Sequence, residues 1–267
     1  FYLFKTDVDG NPTTQPFDHA GYMDMAPEDK GENVRREICL TLESMGILPE
    51  CSHHEEGPGQ NEIDFRYSDA MTAADNALLF ASTVRAVAVS NGLYADFSPK
   101  PIAGEAGNGL HINISLLQSG GQPMTPYFMA GILDHIREMT AFLNPSEASY
   151  RRLGEKKAPR FVTWSPENRS QLIRIPAAQG QYKRMELRSP DPGVNPYLAY
   201  ALVIFAGLDG VKRKLLPPEP VNANLYTAGP EVTAALQVLP RTLAEAKQVA
   251  AESEFIRNTL PESLWKL

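Results

Sequence analysis

Apolar side chains recur three to four positions apart in several stretches of the chain, which is the spacing of one buried helix face. The pattern predicts helices over residues 32–45, 72–91, 127–142 and 196–215. Thr72 and Asp75 have the spacing of a capping box at the start of the second helix. Pro196 stands at the first position of the fourth helix. After residue 215, we expect shorter helices that are broken by prolines.

Apolar and polar residues alternate in four other stretches, as they do in a strand with one buried face. These predicted strands cover residues 62–67, 110–116, 171–175 and 182–188. The first residues of the chain, FYLFKTD, also read as the interior of a strand. Helices and strands follow one another without a clear linker or repeat, so the sequence predicts an α+β fold. We expect a single domain over residues 1–267.

Two of the predicted strands carry titratable side chains on their polar faces. The strict alternation at 110–116 places three polar residues on one face, and these are His111, Asn113 and Ser115. The polar face of 182–188 consists of Tyr182, Arg184, Glu186 and Arg188. Such a row by itself also fits an exposed ladder of opposite charges, and a lone histidine fits a structural role. The two rows together favour a functional site.

Residues 53–62, HHEEGPGQNE, surround a Gly-Pro-Gly sequence with metal-binding residue types. Glycine and proline set the backbone of a tight turn, so this stretch predicts a hairpin. A turn does not require the titratable residues on its two arms, which are His53, His54, Glu55, Glu56 and Glu62. Their presence raises the question of what the hairpin binds.

A divalent metal site explains four of these residues together. Each member of the set lies on or beside a predicted strand, and the set is Glu55, Glu62, His111 and Glu186. If their strands form one sheet, the carboxylates and the imidazole can converge. Carboxylate ligation with at most one imidazole per ion suits Mg²⁺ or Mn²⁺. Neither Cys39 nor Cys51 has the spacing of a zinc ligand.

The charge distribution points to phosphate. The chain carries a net charge of −7, which argues against general nucleic-acid binding. Residues 151–188 nevertheless hold ten basic residues and three acidic ones, a local net charge of +7. Arginines next to a metal site are suited to hold phosphates during transfer. The sequence has no G-x-x-x-x-G-K-[ST] motif, so a P-loop enzyme is excluded.

Two further features of composition bear on where the protein works. Only two cysteines occur, which disfavours a disulfide scaffold and fits a reducing, cytoplasmic location. No long apolar run is present, so we expect no membrane span.

Five sequence blocks, in order along the chain, resemble the catalytic domain of glutamine synthetase. They are HHEEGPGQNEI, SPKPIAGEAGNGLHINISL, NPSEASYRRL, APRFVTWSPENRSQLIRIP and YKRMELRSPDPGVNPYLAYAL. The resemblance implies a catalytic domain with a curved antiparallel sheet that forms an active-site half-barrel flanked by helices. It also implies ATP-dependent joining of ammonia to glutamate through a γ-glutamyl phosphate, with Mg²⁺ or Mn²⁺, in homo-oligomeric rings.

The resemblance assigns a role to each matching residue. Glu55 and Glu62 match ligands of one metal, and His111 and Glu186 match ligands of a second. The arginines that match the glutamate carboxylate contacts are Arg152 and Arg188. Those that match contacts with the nucleotide phosphates and the transferred phosphoryl group are Arg169, Arg174 and Arg184. The residues that match positions near ribose, adenine and the substrate backbone are Glu50, Ser115 and Gly107.

Three departures from the family pattern keep alternatives open. The family has an E-x-E pair of metal ligands and a small N-terminal domain before the segment that matches FYLF, so we expect this chain to start partway into a longer protein. Lys157 stands where the family usually has a glutamate, and Ala106 where it has an asparagine. These two changes favour a γ-glutamyl-amine ligase as the second hypothesis. A non-catalytic, nucleotide-binding or structural family member is the third.

Overall fold

The computed structural model describes residues 1–116, 124–178 and 183–265. Contacts along the chain divide it into two units, Phe1–Asn108 and Gly109–Leu267. Both contain helices and strands, which confirms the α+β class. The prediction of one catalytic domain over residues 1–267 stays a prediction.

Two helices and two sheets make up the first unit. The opening residues form strand β1 (Tyr2–Thr6), which pairs antiparallel with β2 (Pro12–Pro16) and β5 (Leu93–Asp96) in the order β2-β1-β5. Strands β3 (Pro49–His54) and β4 (Asn61–Phe65) form a separate antiparallel hairpin. Helices α1 (Glu32–Ser44) and α2 (Ala70–Ser90) supply much of the apolar core of this unit.

Helix α2 begins two residues before the expected capping box. Its N-cap is Asp69, whose carboxylate accepts hydrogen bonds from the amides of Met71 and Thr72. Aspartate satisfies these free amides as well as threonine does and also favours the positive end of the helix dipole. The capping box at Thr72 and Asp75 was therefore wrong.

The second unit combines a sheet of short strands with several helices. A four-stranded sheet has the order β6 (Ile112–Ile114), β9 (Met185–Leu187), β8 (Ile173–Arg174) and β7 (Trp164–Ser165). Its β7–β8 pair is parallel and its other pairs are antiparallel. The strands are shorter than predicted, and Tyr182 lies outside the described residues.

The helices of this unit follow the apolar periodicity closely. They are α3 (Thr125–Leu143), α4 (Glu147–Arg152), α5 (Pro196–Arg213), α6 (Pro230–Thr233), α7 (Leu243–Glu252), α8 (Glu254–Thr259) and α9 (Glu262–Trp265). Helix α3 buries Ile132, Ile136 and Met139 completely, next to Leu202 of α5 and Ala246 of α7. No helix in the described ranges is long and apolar enough to cross a membrane.

Helices α3 and α5 touch through their backbones at two glycines. A Cβ atom at Gly131 would lie 2.1 Å from the carbonyl oxygen of Ala206. A Cβ atom at Gly210 would lie 2.2 Å from the carbonyl oxygen of Tyr127. Both distances are far below van der Waals contact, so only glycine fits at either position.

Candidate functional site

The Gly-Pro-Gly turn folds the two arms of the β3–β4 hairpin onto each other, as the sequence predicts. The pairing places His53 opposite Glu62. Gly59 has a φ of +69° and lies so close to β1 that a Cβ atom would stand 2.7 Å from the carbonyl oxygen of Leu3. A Cβ atom at Gly57 would be 2.0 Å from the hydroxyl of the buried Tyr2. Both glycines are therefore required by close approach as well as by the turn.

Three side chains of this hairpin form a cluster, which we call the hairpin triad: His53, Glu55 and Glu62. One nitrogen or oxygen atom from each lies within 4.8 Å of the others. The Nε2 atom of His53 is 3.6 Å from Oε1 of Glu55. This nitrogen is buried, and it has no hydrogen-bond partner within the described part of the chain. A buried nitrogen without a partner, next to two carboxylates, fits a metal ligand.

The electrostatics of the triad point the same way. Burial, and then the nearby carboxylates of Asp64 and Glu55, raise the pKa of Glu62 to about 7. The contact with Glu55 raises the pKa of His53, although burial opposes this. Two partly buried carboxylates repel each other, and a divalent cation between them would remove that repulsion. Two carboxylates and one imidazole fit Mg²⁺ or Mn²⁺.

His54, the next residue, points away from the triad and is completely buried. Its Nε2 atom lies 2.8 Å from Oδ1 of Asp18, and its Nδ1 atom lies 2.6 Å from the carbonyl oxygen of Glu55. Burial alone would lower the pKa of His54, but the hydrogen bonds to Asp18 and to the Glu55 carbonyl raise it. The two adjacent histidines therefore have different surroundings.

In the second unit, Glu186 on β9 lies among three nitrogen-bearing side chains. Its Oε1 atom accepts from Nη1 of Arg188 at 2.6 Å and lies 3.2 Å from Nδ1 of His111. Its Oε2 atom accepts from Nη1 of Arg174 at 3.1 Å. Burial would raise the pKa of Glu186, but His111, Arg188 and Arg174 hold it well below its usual range. The carboxylate is therefore ionised.

His111, which contacts this carboxylate, and Arg152 both have strongly shifted pKa values. Burial, and then the charge of Arg188, lower the pKa of His111 to about 4, so its imidazole is neutral near pH 7. Burial lowers the pKa of Arg152 to about 10. Arg152 donates to the carbonyl oxygens of Ser189 and Arg188 at 2.8 and 3.2 Å. A Cβ atom at Gly109 would lie 2.7 Å from Nη2 of Arg152, so this glycine makes room for the guanidinium.

The remaining predicted residues are more exposed. Arg169 and Arg184 are at the surface of the second unit, and Nε of Arg184 donates to Oδ1 of Asn113 at 3.1 Å. Glu50 on β3 and Ser115 after β6 are also exposed. The carbonyl oxygen of Gly107 accepts from the side-chain amide of Gln60. The four exposed side chains are therefore accessible to solvent.

At the two positions that depart from the family pattern, Ala106 and Lys157, the backbone carbonyl oxygen accepts a hydrogen bond. Ala106 is buried, and its carbonyl oxygen accepts a hydrogen bond from Tyr2. Lys157 has a φ of +57°, in the left-handed region that non-glycine residues rarely adopt. The carbonyl oxygen of Lys157 accepts from Nη2 of Arg188 at 3.3 Å. Lys157 is thereby tied to an arginine of the predicted site.

The structure brings together two pairs of the four predicted metal ligands. Glu55 and Glu62 meet in the first unit, and His111 and Glu186 meet in the second, on different sheets. The sequence did not identify His53 as a site residue. The signal was present, because a residue that pairs with Glu62 across a hairpin lies next to it.

The chain has an α+β fold in which an ionised carboxylate, Glu186, lies beside the neutral His111 and two arginines, Arg174 and Arg188. The family model described as glutamine synthetase, catalytic domain, matches residues 1–266. The chain therefore belongs to the glutamine synthetase family.

Similar proteins and solved structures support this assignment. Glutamine synthetases of Methanosarcina mazei and Staphylococcus aureus are each 45% identical to this chain over 99% of its length. The chain spans 63% of the length of these relatives. Among solved structures, a GmaS/ADP complex has a TM-score of 0.86 and 30% identity, and covers 98% of this chain and 64% of its own. A glutamine synthetase of Plasmodium falciparum has a TM-score of 0.80 and 28% identity, and the match covers 95% of this chain and 60% of that protein's chain.

Proposed function

We propose that this chain is the catalytic domain of a ligase that uses ATP to join ammonia to glutamate, through a γ-glutamyl phosphate. The observation that carries the proposal is the environment of Glu186, whose ionised carboxylate contacts Arg174, Arg188 and His111. The chain that holds this cluster belongs to the glutamine synthetase family. The GmaS neighbour is a complex with ADP, which supports a nucleotide as ligand of this fold. Glutamate, ammonia and ATP are the proposed substrates, and a cytoplasmic ring of identical subunits is the proposed assembly.

The proposed metals have ligands in both units. The hairpin triad would hold one Mg²⁺ or Mn²⁺, and His111 with Glu186 would hold another. The neutral imidazole of His111 supports this role because a metal binds the unprotonated nitrogen. Bound ions would neutralise charge on the phosphate oxygens during transfer.

The arginines are proposed to divide between the two substrates. Arg169, Arg174 and Arg184 would contact phosphate, and the exposure of Arg169 and Arg184 leaves them accessible. Arg152 and Arg188 would hold the glutamate carboxylates, and Gly107 would contact the substrate through its backbone. Arg188 supports this assignment because its Nε atom is buried and has no hydrogen-bond partner in the described ranges. Glu50 and Ser115 would lie near the ribose and adenine.

Steady-state ATP turnover tests the proposal. The full-length protein is supplied with Mg²⁺, ATP and glutamate, together with ammonia or one of a panel of primary amines and polyamines. We expect glutamate-dependent phosphate release that is fastest with ammonia, and reactions without glutamate are the control. Faster turnover with a larger amine would support the γ-glutamyl-amine ligase instead. No turnover with any amine would support the non-catalytic alternative.

The metal assignment predicts a loss of Mn²⁺ affinity when Glu62 becomes glutamine. Removing one carboxylate ligand should weaken binding about tenfold or more, since second-sphere changes alone cost 10- to 100-fold. Glu56→Gln is the matched control because Glu56 is exposed and lies outside the hairpin triad. Calorimetric titration of Mn²⁺ into wild type and both variants makes the comparison. Equal affinity in wild type and Glu62→Gln would remove Glu62 from the site.

The second candidate function rests on Lys157, whose carbonyl oxygen is bound by Arg188. The family's glutamate at this position would attract ammonium, whereas lysine repels it. Two unit charges 4 Å apart interact by about 4 kcal/mol at an effective dielectric near 20, and solvent screens much of this at a half-buried side chain.

Lys157→Glu is therefore expected to improve kcat/KM for ammonia about tenfold relative to larger amines, or about 1.4 kcal/mol. Lys156→Glu makes the same change of charge at an exposed neighbouring position and is the control. The measurement is turnover over a range of ammonium concentrations. If both variants behave as wild type, Lys157 has no part in amine selection.

A further inference from the structure

The pair formed by Asp18 and His54 has no role in the proposed reaction, yet it is among the most buried charged contacts of the first unit. Asp18 is 3% exposed and His54 is 0% exposed. The partners of His54 are a carboxylate and a backbone carbonyl, and both accept hydrogen bonds. Both ring nitrogens of His54 are therefore engaged in hydrogen bonds inside the first unit. Such a pair is costly to bury unless its geometry is well satisfied.

The contacts of this pair lie at the two ends of the turn that carries the metal ligands. His54 holds the carbonyl oxygen of Glu55 at one end. Asp18 accepts from the amide of Gly59 at the other end, at 3.0 Å. Its second oxygen accepts from the amide of Lys30, also at 3.0 Å, and thus fixes the carboxylate itself. Every one of these contacts lies within the first unit.

A second set of buried contacts supports the same turn from β4. The side-chain amide of Asn61 donates to the carbonyl oxygen of Gly59 at 2.8 Å. Arg35 donates to the Asn61 side chain at 2.6 Å and forms an ion pair with Asp29 at 2.6 Å. The backbone between Glu55 and Glu62 is thus held by groups that do not themselves face the hairpin triad.

We propose that Asp18 and His54 are positioning residues for the divalent cation of the hairpin triad. This inference rests on the proposed metal site. By fixing Glu55 and Gly59, the pair sets the separation of the two carboxylates before an ion arrives. Mg²⁺ requires near-ideal octahedral geometry, whereas Ca²⁺ accepts flexible coordination. Loosening the turn should therefore weaken Mg²⁺ binding more than Ca²⁺ binding.

Two substitutions at His54 separate its two contacts. The amide nitrogen of glutamine replaces Nε2, so His54→Gln keeps the donor to Asp18. The amide nitrogen of asparagine replaces Nδ1, so His54→Asn keeps the donor to the Glu55 carbonyl. Asp18→Asn removes the anion. The probes are Mn²⁺, Mg²⁺ and Ca²⁺ alone, titrated by calorimetry, with amide hydrogen exchange over residues 55–60 in the metal-free protein.

We expect each variant to bind Mn²⁺ about tenfold more weakly, in the range found when a ligand-orienting residue is removed. The ratio of Mg²⁺ to Ca²⁺ affinity should fall, and the Gly59 amide should exchange faster in His54→Asn and Asp18→Asn than in His54→Gln. A purely structural role would lower the unfolding temperature without changing this ratio.

His135→Gln is the matched control because His135 is another buried histidine with two acidic partners. Its nitrogens lie 3.0 Å from Glu138 and 2.9 Å from Asp209, in the second unit. This variant should lose stability but keep its Mn²⁺ affinity within about twofold, because its partners Glu138 and Asp209 are not members of the hairpin triad. Unchanged metal affinity in the His54 and Asp18 variants, with faster exchange at Gly59, would overturn the positioning role alone. Absence of Mn²⁺ binding by wild type would overturn the metal site, and this inference with it.

Discussion

Replacing Glu186 by glutamine is expected to lower the free energy of unfolding by about 3–5 kcal/mol, the usual cost of removing one partner of a buried ion pair. Glutamine keeps the size of the side chain but loses the charge that Arg188 and Arg174 contact. Arg188 is 3% exposed and would remain as a buried, uncompensated cation. Urea denaturation of the metal-free protein measures the loss.

Two further variants show whether the charge itself is responsible. Glu167→Gln removes an exposed carboxylate from the same unit and should change stability by no more than about 0.5 kcal/mol. Combining Glu186→Gln with Arg188→Met removes both buried charges, so part of the lost stability should return. A double variant as unstable as the sum of the single ones would show that the two residues do not stabilise each other.

The lowered pKa of Glu186 also predicts how the stability of the protein changes in acid. The pKa of Glu186 lies below its usual range in the folded protein, so the unfolded state takes up a proton first as the pH falls. The stabilisation is complete above the unfolded pKa of about 4.3 and is lost as the pH falls from there toward the folded value. Stability curves of wild type and Glu186→Gln should therefore converge in acid. Parallel curves would contradict the assigned charge.

Replacing Gly210 by alanine is expected to cost about 3 kcal/mol, at the upper end for overpacked sites, because the methyl group meets backbone that cannot rotate away. The added Cβ would lie 2.2 Å from the Tyr127 carbonyl and 2.6 Å from Cα of Gly131. Helix α5 must therefore move away from α3. The result is visible as a lower urea midpoint with an unchanged m-value.

The higher helix propensity of alanine offsets part of this loss of stability, so it must be measured separately. Alanine is about 1 kcal/mol more favourable than glycine in a helix interior. Leu208 is 52% exposed on the same helix, so the difference between Leu208→Ala and Leu208→Gly measures that preference without the clash. If Gly210→Ala proves stabilising by the same amount, α3 and α5 do not approach as closely as described.

The sequence predicts elements well where burial imposes a strong period. Helix α3 was expected over 127–142 and spans Thr125–Leu143, because its apolar residues must face the core. The fourth helix begins at the predicted Pro196. The expected strand at 110–116 shrinks to Ile112–Ile114, since alternation describes side-chain direction and does not determine how far two strands pair.

The candidate site was predictable as residue types and less so as geometry. The hairpin and its two glutamates follow from local sequence, because a short turn brings its own arms together. His53 was missed because its place depends on the cross-strand register. The burial of Arg152 depends on the chain approaching at Gly109, which no local pattern records. The link from His54 to Asp18 joins residues 36 positions apart and has no periodic signal.

The contact at Gly131 and Gly210 also limits how this chain can change. Glycine has the smallest side chain, so every missense mutation at either codon adds at least one carbon atom between two backbones. A neighbouring residue cannot compensate by becoming smaller, because the obstructing atoms belong to Tyr127 and Ala206 main-chain carbonyls, which every amino acid has. In a library containing all single substitutions, every replacement at these two positions should therefore be depleted, while Leu208, which is exposed on α5, accepts many.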